Sequence, residues 1–338
     1  MMSQSSLGDD PSRVPIEPDP AVVRWLAAEH LRKSQSKAAL SSPPMGRELT
    51  RADLVSPRGR RIVLPLVLFL GTCVSTFVAG ALDWRPEYLE SDQVEGVISA
   101  NWNQGLVYMA AVIGILLTHE MGHFWQTLRY HVPASLPYFI PVPLLMTGTM
   151  GAVIGMEGSR ADRKQLFDIG ISGPLAGLAV SLPIIWYGIK SATVANPLAV
   201  YQLGDPLIFK LLAGYLRPDI PVGSILSKDN PLLMAGWVGM LITGLNMLPI
   251  SQLDGGHVIY GLFGRKALLV SRAFLIAAIA FIVIGDHYNW TVMLVLVILL
   301  GVDHPPTRDD NVRLGFWRRA IGLLSLAIPV LCFTPVLI

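Results

Sequence analysis

Long apolar runs alternate with short polar segments along the chain after Arg61. An α-helix needs about 20 predominantly apolar residues to cross a bilayer. By this criterion the pattern predicts about six to seven membrane-spanning helices. The apolar runs cover residues 62–82, 105–128, 167–189, 232–253, 270–285, 290–302 and 320–338. We therefore expect an all-α polytopic membrane protein in which residues 62–338 form one membrane-embedded domain.

The first 61 residues differ from the rest of the chain in being polar and rich in Ser, Pro and Arg. The apolar run comes too late for a cleavable signal peptide, so we expect a weakly structured tail. Arg58, Arg60 and Arg61 directly precede the first run, which places the N-terminus in the cytoplasm by the positive-inside rule. The next polar loop, 83–104, is acidic and is predicted to be extracytoplasmic.

Residues 132–156 are apolar but are interrupted by many helix-breaking residues. These are Pro133, Pro137, Pro141, Pro143, Gly148, Gly151 and Gly155. We predict a re-entrant or extended loop, whose irregular backbone must lie against protein or a water-filled cavity at membrane depth. Residues 149–154 are expected to be extended. A simple connecting loop fits the pattern equally well.

The run 105–128 carries ionisable side chains in the order Thr118-His119-Glu120-Met121-Gly122-His123. His119 and His123 are four residues apart, so both imidazoles project from one face of a helix. Glu120 lies beside that face, where it could take a proton from a water that a metal activates. Ionisable residues at membrane depth are costly and indicate a functional site. A packed polar cluster without metal is the alternative.

The runs 105–128 and 232–253 are both predicted to pass from outside to inside, and each has polar residues near its cytoplasmic end. Asp254 should therefore reach the depth of the histidine pair and supply a third ligand. Catalytic zinc takes three protein ligands and keeps one position open, so we predict one Zn²⁺ per chain. Asp254 could instead cap a helix end. Asn246 could donate a hydrogen bond to the peptide or its oxyanion, or to a neighbouring helix.

The composition agrees with a membrane protein: 52% of residues are hydrophobic, 15% are charged, and the mean hydropathy is +0.51. Soluble chains carry about 25% charged residues. A formal net charge of +2 argues against nucleic acid as a partner. The two cysteines, Cys73 and Cys332, allow neither a disulfide framework nor a cysteine-based zinc site. The expected surroundings are a lipid bilayer.

The segment from Asn246 to Gly256 reads Asn-x-x-Pro-x-x-x-Leu-Asp-Gly-Gly. Together with the His-Glu-x-x-His helix, it resembles the site-2 protease family of intramembrane zinc metalloproteases (peptidase M50-like). The resemblance covers about residues 105–264, which would form the catalytic core. It implies that His119, His123 and Asp254 are zinc ligands and that Glu120 is the catalytic glutamate.

Three further segments resemble parts of this family. The small residues Gly173, Pro174 and Gly177 resemble a motif of its central core helix. Residues 148–155 resemble a membrane loop that holds substrate as an added strand. A tail in some bacterial members is similar to His304-Pro305-Pro306 with Asp309 and Asp310. No inserted PDZ or CBS domain is visible.

The predicted function is therefore cleavage of a single-pass transmembrane protein within or near the cytoplasmic leaflet. The predicted location is the plasma membrane of a bacterium. A zinc or cation transporter is the first alternative, although such proteins usually show repeated halves and none is visible here. A non-catalytic membrane scaffold is the second, and the intact Glu120 argues against it.

Overall fold

The computed structural model describes residues 62–194, 203–221, 226, 229–250, 252–300 and 307–334. These residues form ten α-helices and one two-stranded sheet. In chain order the helices are α1 (Val63–Ala81), α2 (Val94–Tyr130), α3 (Arg163–Lys190), α4 (Leu207–Leu216), α5 (Pro231–Asn246), α6 (Asp254–Phe263), α7 (Ala267–Ile284), α8 (Thr291–Leu300), α9 (Phe316–Ser325) and α10 (Ile328–Cys332). The predicted tail 1–61 and the tripeptide His304-Pro305-Pro306 lie outside the described residues.

Within the described ranges, four helical segments are long and apolar enough to cross a membrane: α1, α2, α3 and the combined segment Asp254–Ile284, which joins α6 and α7. The chain is therefore an α-helical membrane protein. The predicted run 232–253 is shorter as a helix, because α5 ends at Asn246. The run 320–338 is not one helix either: α9 ends at Ser325, and α10 starts at Ile328 with Pro329 in its first turn.

Local sequence explains where α2 ends and where α3 begins. At the end of α2, His131 adopts a left-handed conformation with a φ of 54°, which turns the chain out of the helix. Its backbone N–H still reaches the Leu128 carbonyl at 3.3 Å. The start of α3 is a capping box, in which the Asp162 carboxylate accepts the Gln165 N–H at 2.8 Å and the Gln165 side chain accepts the Asp162 N–H at 3.0 Å.

The interrupted loop between these helices contains the sheet, which consists of β1 (Tyr138–Pro141) and β2 (Thr149–Val153). The strands are antiparallel, with Tyr138 opposite Val153 and an irregularity between Phe139 and Pro141. The prediction of an extended segment at 149–154 is thus confirmed. Among the described residues this hairpin is the one sheet, and two isolated β-bridges join Ala134 with Met156 and Val194 with Leu226.

Helix α3 lies between the two helices that carry the polar motifs, since it packs against both α2 and α6. Small residues allow the close approach to α2. A Cβ atom at Gly122 of α2 would lie 2.6 Å from the Ser172 carbonyl oxygen of α3. The largest buried side chains, Trp237, Tyr108 and Phe167, come from α5, α2 and α3. Because α3 packs against α2, α5 and α6, the core of the bundle is built around it.

Candidate metal centre

Three metal-ligating side chains meet inside the bundle, two from α2 and one from the first residue of α6. The Asp254 Oδ2 atom lies 3.1 Å from His119 Nε2 and 3.2 Å from His123 Nε2. The two Nε2 atoms are 3.2 Å apart. Both histidines are buried, and the Asp254 side chain is 15% exposed. Among the described residues, this is the group of three or more His, Cys, Asp or Glu that could hold a metal ion.

The spacing of these donor atoms fits a tetrahedral zinc ion. Ligand atoms about 2.0–2.1 Å from a tetrahedral centre lie about 3.3–3.4 Å apart. The three distances of 3.1–3.2 Å between the donor atoms are close to that value. Two imidazoles and one carboxylate are also a donor set of catalytic zinc sites, in which a fourth position stays open.

The backbone of α3 fixes the orientation of His123. The Nδ1–H group of His123 donates to the Ile169 carbonyl oxygen at 2.7 Å. Since a carbonyl can only accept, this bond places the imidazole proton on Nδ1 and leaves Nε2 free to bind a metal. A metal-ligating histidine almost always makes such a bond with its other nitrogen.

Glycines of α3 provide the space in which the two imidazoles lie. A Cβ atom at Gly177 would come within 3.1 Å of His119 Nδ1, and one at Gly173 would overlap the His123 ring. One turn earlier, Gly170 packs against the Cβ atom of His257 on α6. The small-residue motif therefore lets α3 pass directly behind the histidine pair.

Asn246 and Glu120 lie at the edge of the same cluster. Asn246 is the last residue of α5, and its Nδ2 atom is 3.4 Å from His119 Nε2, at the limit of a hydrogen bond. Glu120 is 3% exposed and directly follows His119 in α2, so it lies one residue from a ligand of the cluster. All five predicted site residues are thus gathered at one place in the fold.

The turn between α5 and α6 delivers Asp254 to this place. A Cβ atom at Gly255 would lie 2.1 Å from the Met247 carbonyl oxygen, so the chain can fold back this tightly only at glycine. Asp254 is inside the first turn of α6 and Leu253 is its N-cap residue, with no side-chain capping bond. The Asp254 side chain therefore contacts the two histidines and is not the cap of α6.

The sequence-based prediction does not include two features of the site, the Ile169 carbonyl and Asp168. The Ile169 carbonyl is a backbone group, so the residue pattern cannot predict that it accepts the hydrogen bond from His123. Asp168, which precedes it, accepts hydrogen bonds from Tyr130 and from Arg318. A signal for Asp168 did exist, because a carboxylate inside an apolar run is costly and needs a partner.

A membrane-embedded cluster of two histidines and one aspartate, beside a buried glutamate, defines a metallopeptidase type of centre. The comparison with family models agrees: residues 107–285 match the model of "Peptidase family M50". The match covers more than half of the 338 residues, and the chain belongs to this family. The predicted resemblance to the site-2 proteases is thereby confirmed.

Two relatives with sequence similarity are plant proteins. The chain is 33% identical to "Probable zinc metalloprotease EGY1, chloroplastic" of Arabidopsis thaliana, over 67% of this chain and 42% of that protein. The protein of the same name in Oryza sativa subsp. japonica is also 33% identical, over 66% of this chain and 39% of its own length. The chain thus spans about two fifths of these relatives. No solved structure matches.

Proposed function

We propose that this chain is a zinc-dependent intramembrane peptidase that cleaves a transmembrane protein within or near the cytoplasmic leaflet. The observation that carries the proposal is the convergence of His119, His123 and Asp254 to within 3.2 Å on helices of membrane-spanning length. Membership in peptidase family M50 supports the same chemistry. When bound, zinc polarises the scissile carbonyl and lowers the pKa of a water to about 7.

In this proposal each polar residue has a separate task. His119, His123 and Asp254 hold the ion, and the hydrogen bond to Ile169 keeps His123 in the tautomer that can bind. The Glu120 carboxylate takes the proton of the attacking water and returns it to the leaving nitrogen. The Asn246 amide donates a hydrogen bond to the carbonyl oxygen of the substrate as negative charge develops there.

The hairpin is proposed to hold the substrate. A helical peptide bond is already hydrogen-bonded and shielded, so the substrate helix must open locally before it is cleaved. An opened segment can pair with a free strand edge through main-chain hydrogen bonds. Strand β2 packs beside α2, and its Met150 and Val153 side chains are exposed by 48% and 52%. These features suit β2 to accept an added strand.

We also infer the membrane topology that accompanies this function. Three arginines lie at neighbouring helix ends: Arg129 in the last turn of α2, Arg163 at the start of α3, and Arg265 just after α6. By the positive-inside rule we infer that this side of the bundle faces the cytoplasm. The N-terminus then lies on the same side. Six to seven spans and a single-pass substrate stay predictions. A bacterial plasma membrane also stays one, since the relatives named above are chloroplastic.

The test is co-expression with single-pass membrane reporters, with cleavage read from the fragment pattern. Replacing Glu120 with Gln should reduce cleavage by about 10²–10⁴-fold while zinc stays bound. Glu95→Gln is the matched control, because Glu95 is exposed at the other end of the same helix. Cleavage that survives Glu120→Gln would contradict the proposed enzyme. Zinc flux into vesicles that survives the same change would favour a transporter. A wild type that shows neither cleavage nor zinc flux would favour a scaffold.

A further inference from the structure

Residues 307–318, here termed the C-terminal clasp, lie beyond residues 107–285, which match the peptidase family. They contain the Asp309-Asp310 pair of the tail motif noted in the sequence. The clasp runs along the ends of the three helices that build the metal centre and bonds to α3, α6 and, through α3, to α2. Its contacts suggest a role in positioning the ligands.

The first contact joins the clasp to the start of α3. The Arg308 N–H donates to the Ala161 carbonyl oxygen at 2.9 Å, and the Arg163 N–H donates to the Asp309 carbonyl oxygen at 3.2 Å. These bonds run in both directions between two short stretches of backbone. The first N–H groups of a helix lack partners within the helix, and the clasp supplies one for Arg163.

The second contact joins the clasp and α3 to the end of α6. The Arg163 guanidinium donates to the Gly261 carbonyl at 2.8 Å and to the Leu262 carbonyl at 3.0 Å. The Tyr260 hydroxyl donates to Asp310 at 2.9 Å. Carbonyls at a helix C-terminus are unpaired, and a cation there is favourable. Because α6 has ten residues, fixing this end also fixes its first residue, Asp254.

The ionic state of Asp310 is consistent with this contact. Burial alone would raise the pKa of Asp310, but hydrogen bonds from Thr307 and Tyr260, together with the nearby Arg265, hold it below its ordinary value. The carboxylate is therefore charged at neutral pH and available as an acceptor for both hydroxyl groups.

The third contact joins the clasp to α2 and α3 together. Arg318 donates two hydrogen bonds to the Asp168 carboxylate, at 2.7 and 2.9 Å, and Tyr130 of α2 donates to the same group. The side chains of Arg318 and Asp168 are 34% and 12% exposed. A bidentate, partly buried pair of this kind holds geometry better than an exposed ion pair.

This third contact lies next to the metal centre along the chain. The residue after Asp168 is Ile169, whose carbonyl accepts the Nδ1–H of His123. The pair of bonds from α2 to α3, one from His123 and one from Tyr130, thus sets the register of the two helices. Arg318, which lies outside residues 107–285, bonds to the same Asp168 carboxylate that accepts the bond from Tyr130.

We propose that the C-terminal clasp positions the metal ligands, with Arg318, Asp168 and Arg163 as positioning residues that act through α3. The clasp holds α2 and α6 against α3, so that the histidine pair and Asp254 converge on one point. The proposal rests on the metal assignment made above. It predicts that damage to the clasp lowers zinc affinity before it unfolds the protein.

Zinc affinity of the full chain in detergent, measured by competition with a chromophoric chelator, tests this proposal. Arg318→Gln and Asp168→Asn should each weaken binding by about tenfold or more, as loss of groups that orient ligands does. Arg319→Gln, at the exposed neighbouring arginine, should bind zinc as the wild type does. The exchanged pair Arg318→Asp with Asp168→Arg should recover part of the loss. Unchanged affinity in Arg318→Gln, or an equal loss in Arg319→Gln, would overturn the proposal.

A distance measurement separates this proposal from the proposed function. Spin labels are placed at the exposed residues Trp125 of α2 and Phe263 of α6, after Cys73 and Cys332 are replaced by alanine. In metal-free protein, Arg318→Gln should broaden the distance distribution relative to Arg319→Gln. If the wild type binds zinc no better than His119→Ala, the proposed function fails. The distance distributions in metal-free protein still test whether the clasp holds α2 and α6 in place. If Arg318→Gln does not fold, Arg318→Lys is measured instead. This variant keeps the positive charge but cannot form the bidentate pair, so it should broaden the distance distribution, although less than Arg318→Gln would. A distance distribution in Arg318→Lys equal to that of the wild type would then overturn the proposal.

Discussion

Gly173 of α3 leaves free the space that the Nε2 atom of His123 occupies. A Cβ atom at position 173 would lie 2.0 Å from that nitrogen. This distance is much shorter than the separation of about 3.5–4.0 Å at which non-bonded heavy atoms pack. The His123 ring cannot withdraw at low cost, because its Nδ1–H donates to the Ile169 carbonyl at 2.7 Å. The missing side chain of Gly173 is therefore part of the metal centre.

Replacing Gly173 with Ala should displace His123 and weaken zinc binding by at least about tenfold. Overpacking of this kind also costs about 1–3 kcal/mol of stability. Chelator competition and thermal unfolding measure the two effects. Gly114→Ala is the matched control, since a Cβ atom at Gly114 on α2 has no neighbour within 4 Å. Equal zinc affinity in the two variants would mean that α3 does not confine His123.

Replacing Asp254 with Ala should lower the zinc content of the purified protein and abolish cleavage. The variant loses one of three ligands, and two histidines alone do not complete a catalytic zinc site. Added zinc should raise the thermal stability of the wild type by mass action, but have much less effect on Asp254→Ala. Asp92→Ala, which alters an exposed carboxylate, is the control. Full zinc content in Asp254→Ala would remove Asp254 from the ligand set.

Replacing Asn246 with Ala should reduce kcat by about 10²–10³-fold, the cost of losing one donor to a developing oxyanion. The zinc content should not change, because Asn246 only borders the cluster, with its Nδ2 atom 3.4 Å from His119 Nε2. Asn103→Ala, at an exposed position of α2, should leave kcat unaltered. Joint loss of zinc and activity would instead assign Asn246 to helix packing.

Local periodicity was sufficient to predict the histidine pair, because residues four apart on a helix always share a face. The alternation of apolar and polar segments also placed Asp254 at the depth of that pair, and the contact between them agrees. The density of proline and glycine in 132–156 argues against a regular spanning helix and leaves an extended segment or a simple connecting loop, of which the structure has the extended segment as β2. The histidine pair and the interrupted loop depend on neighbours in sequence, whereas the depth of Asp254 follows from the order of apolar and polar segments along the chain.

Features that depend on the packing of distant segments were not predictable. The Ile169 carbonyl, which selects the His123 tautomer, is present in every peptide unit and has no signature. The pairing of Arg318 with Asp168 joins residues 150 positions apart. Helix lengths were also imperfectly predicted, since hydropathy cannot show that α5 stops at Asn246 to turn toward Asp254.

The hairpin makes contact with α1 through Gly148, just before β2. Gly148 has a φ of +72°, and a Cβ atom there would lie 2.7 Å from the Ser75 carbonyl oxygen. The Ser75 hydroxyl in turn donates to the Gly148 carbonyl at 2.6 Å. Glycine is therefore required at this position both for its backbone conformation and for its close approach to α1.

Replacing Gly148 with Ala should shift β2 away from its position beside α2 and reduce cleavage of a transmembrane reporter. Zinc affinity should be retained, because no ligand lies on the hairpin. The two measurements thus separate substrate holding from metal binding. Gly96→Ala, at an open position of α2, should alter neither of them. If Gly148→Ala cleaves at the wild-type rate although its hairpin has moved, the substrate does not pair with β2, and the opened segment must be held elsewhere in the bundle.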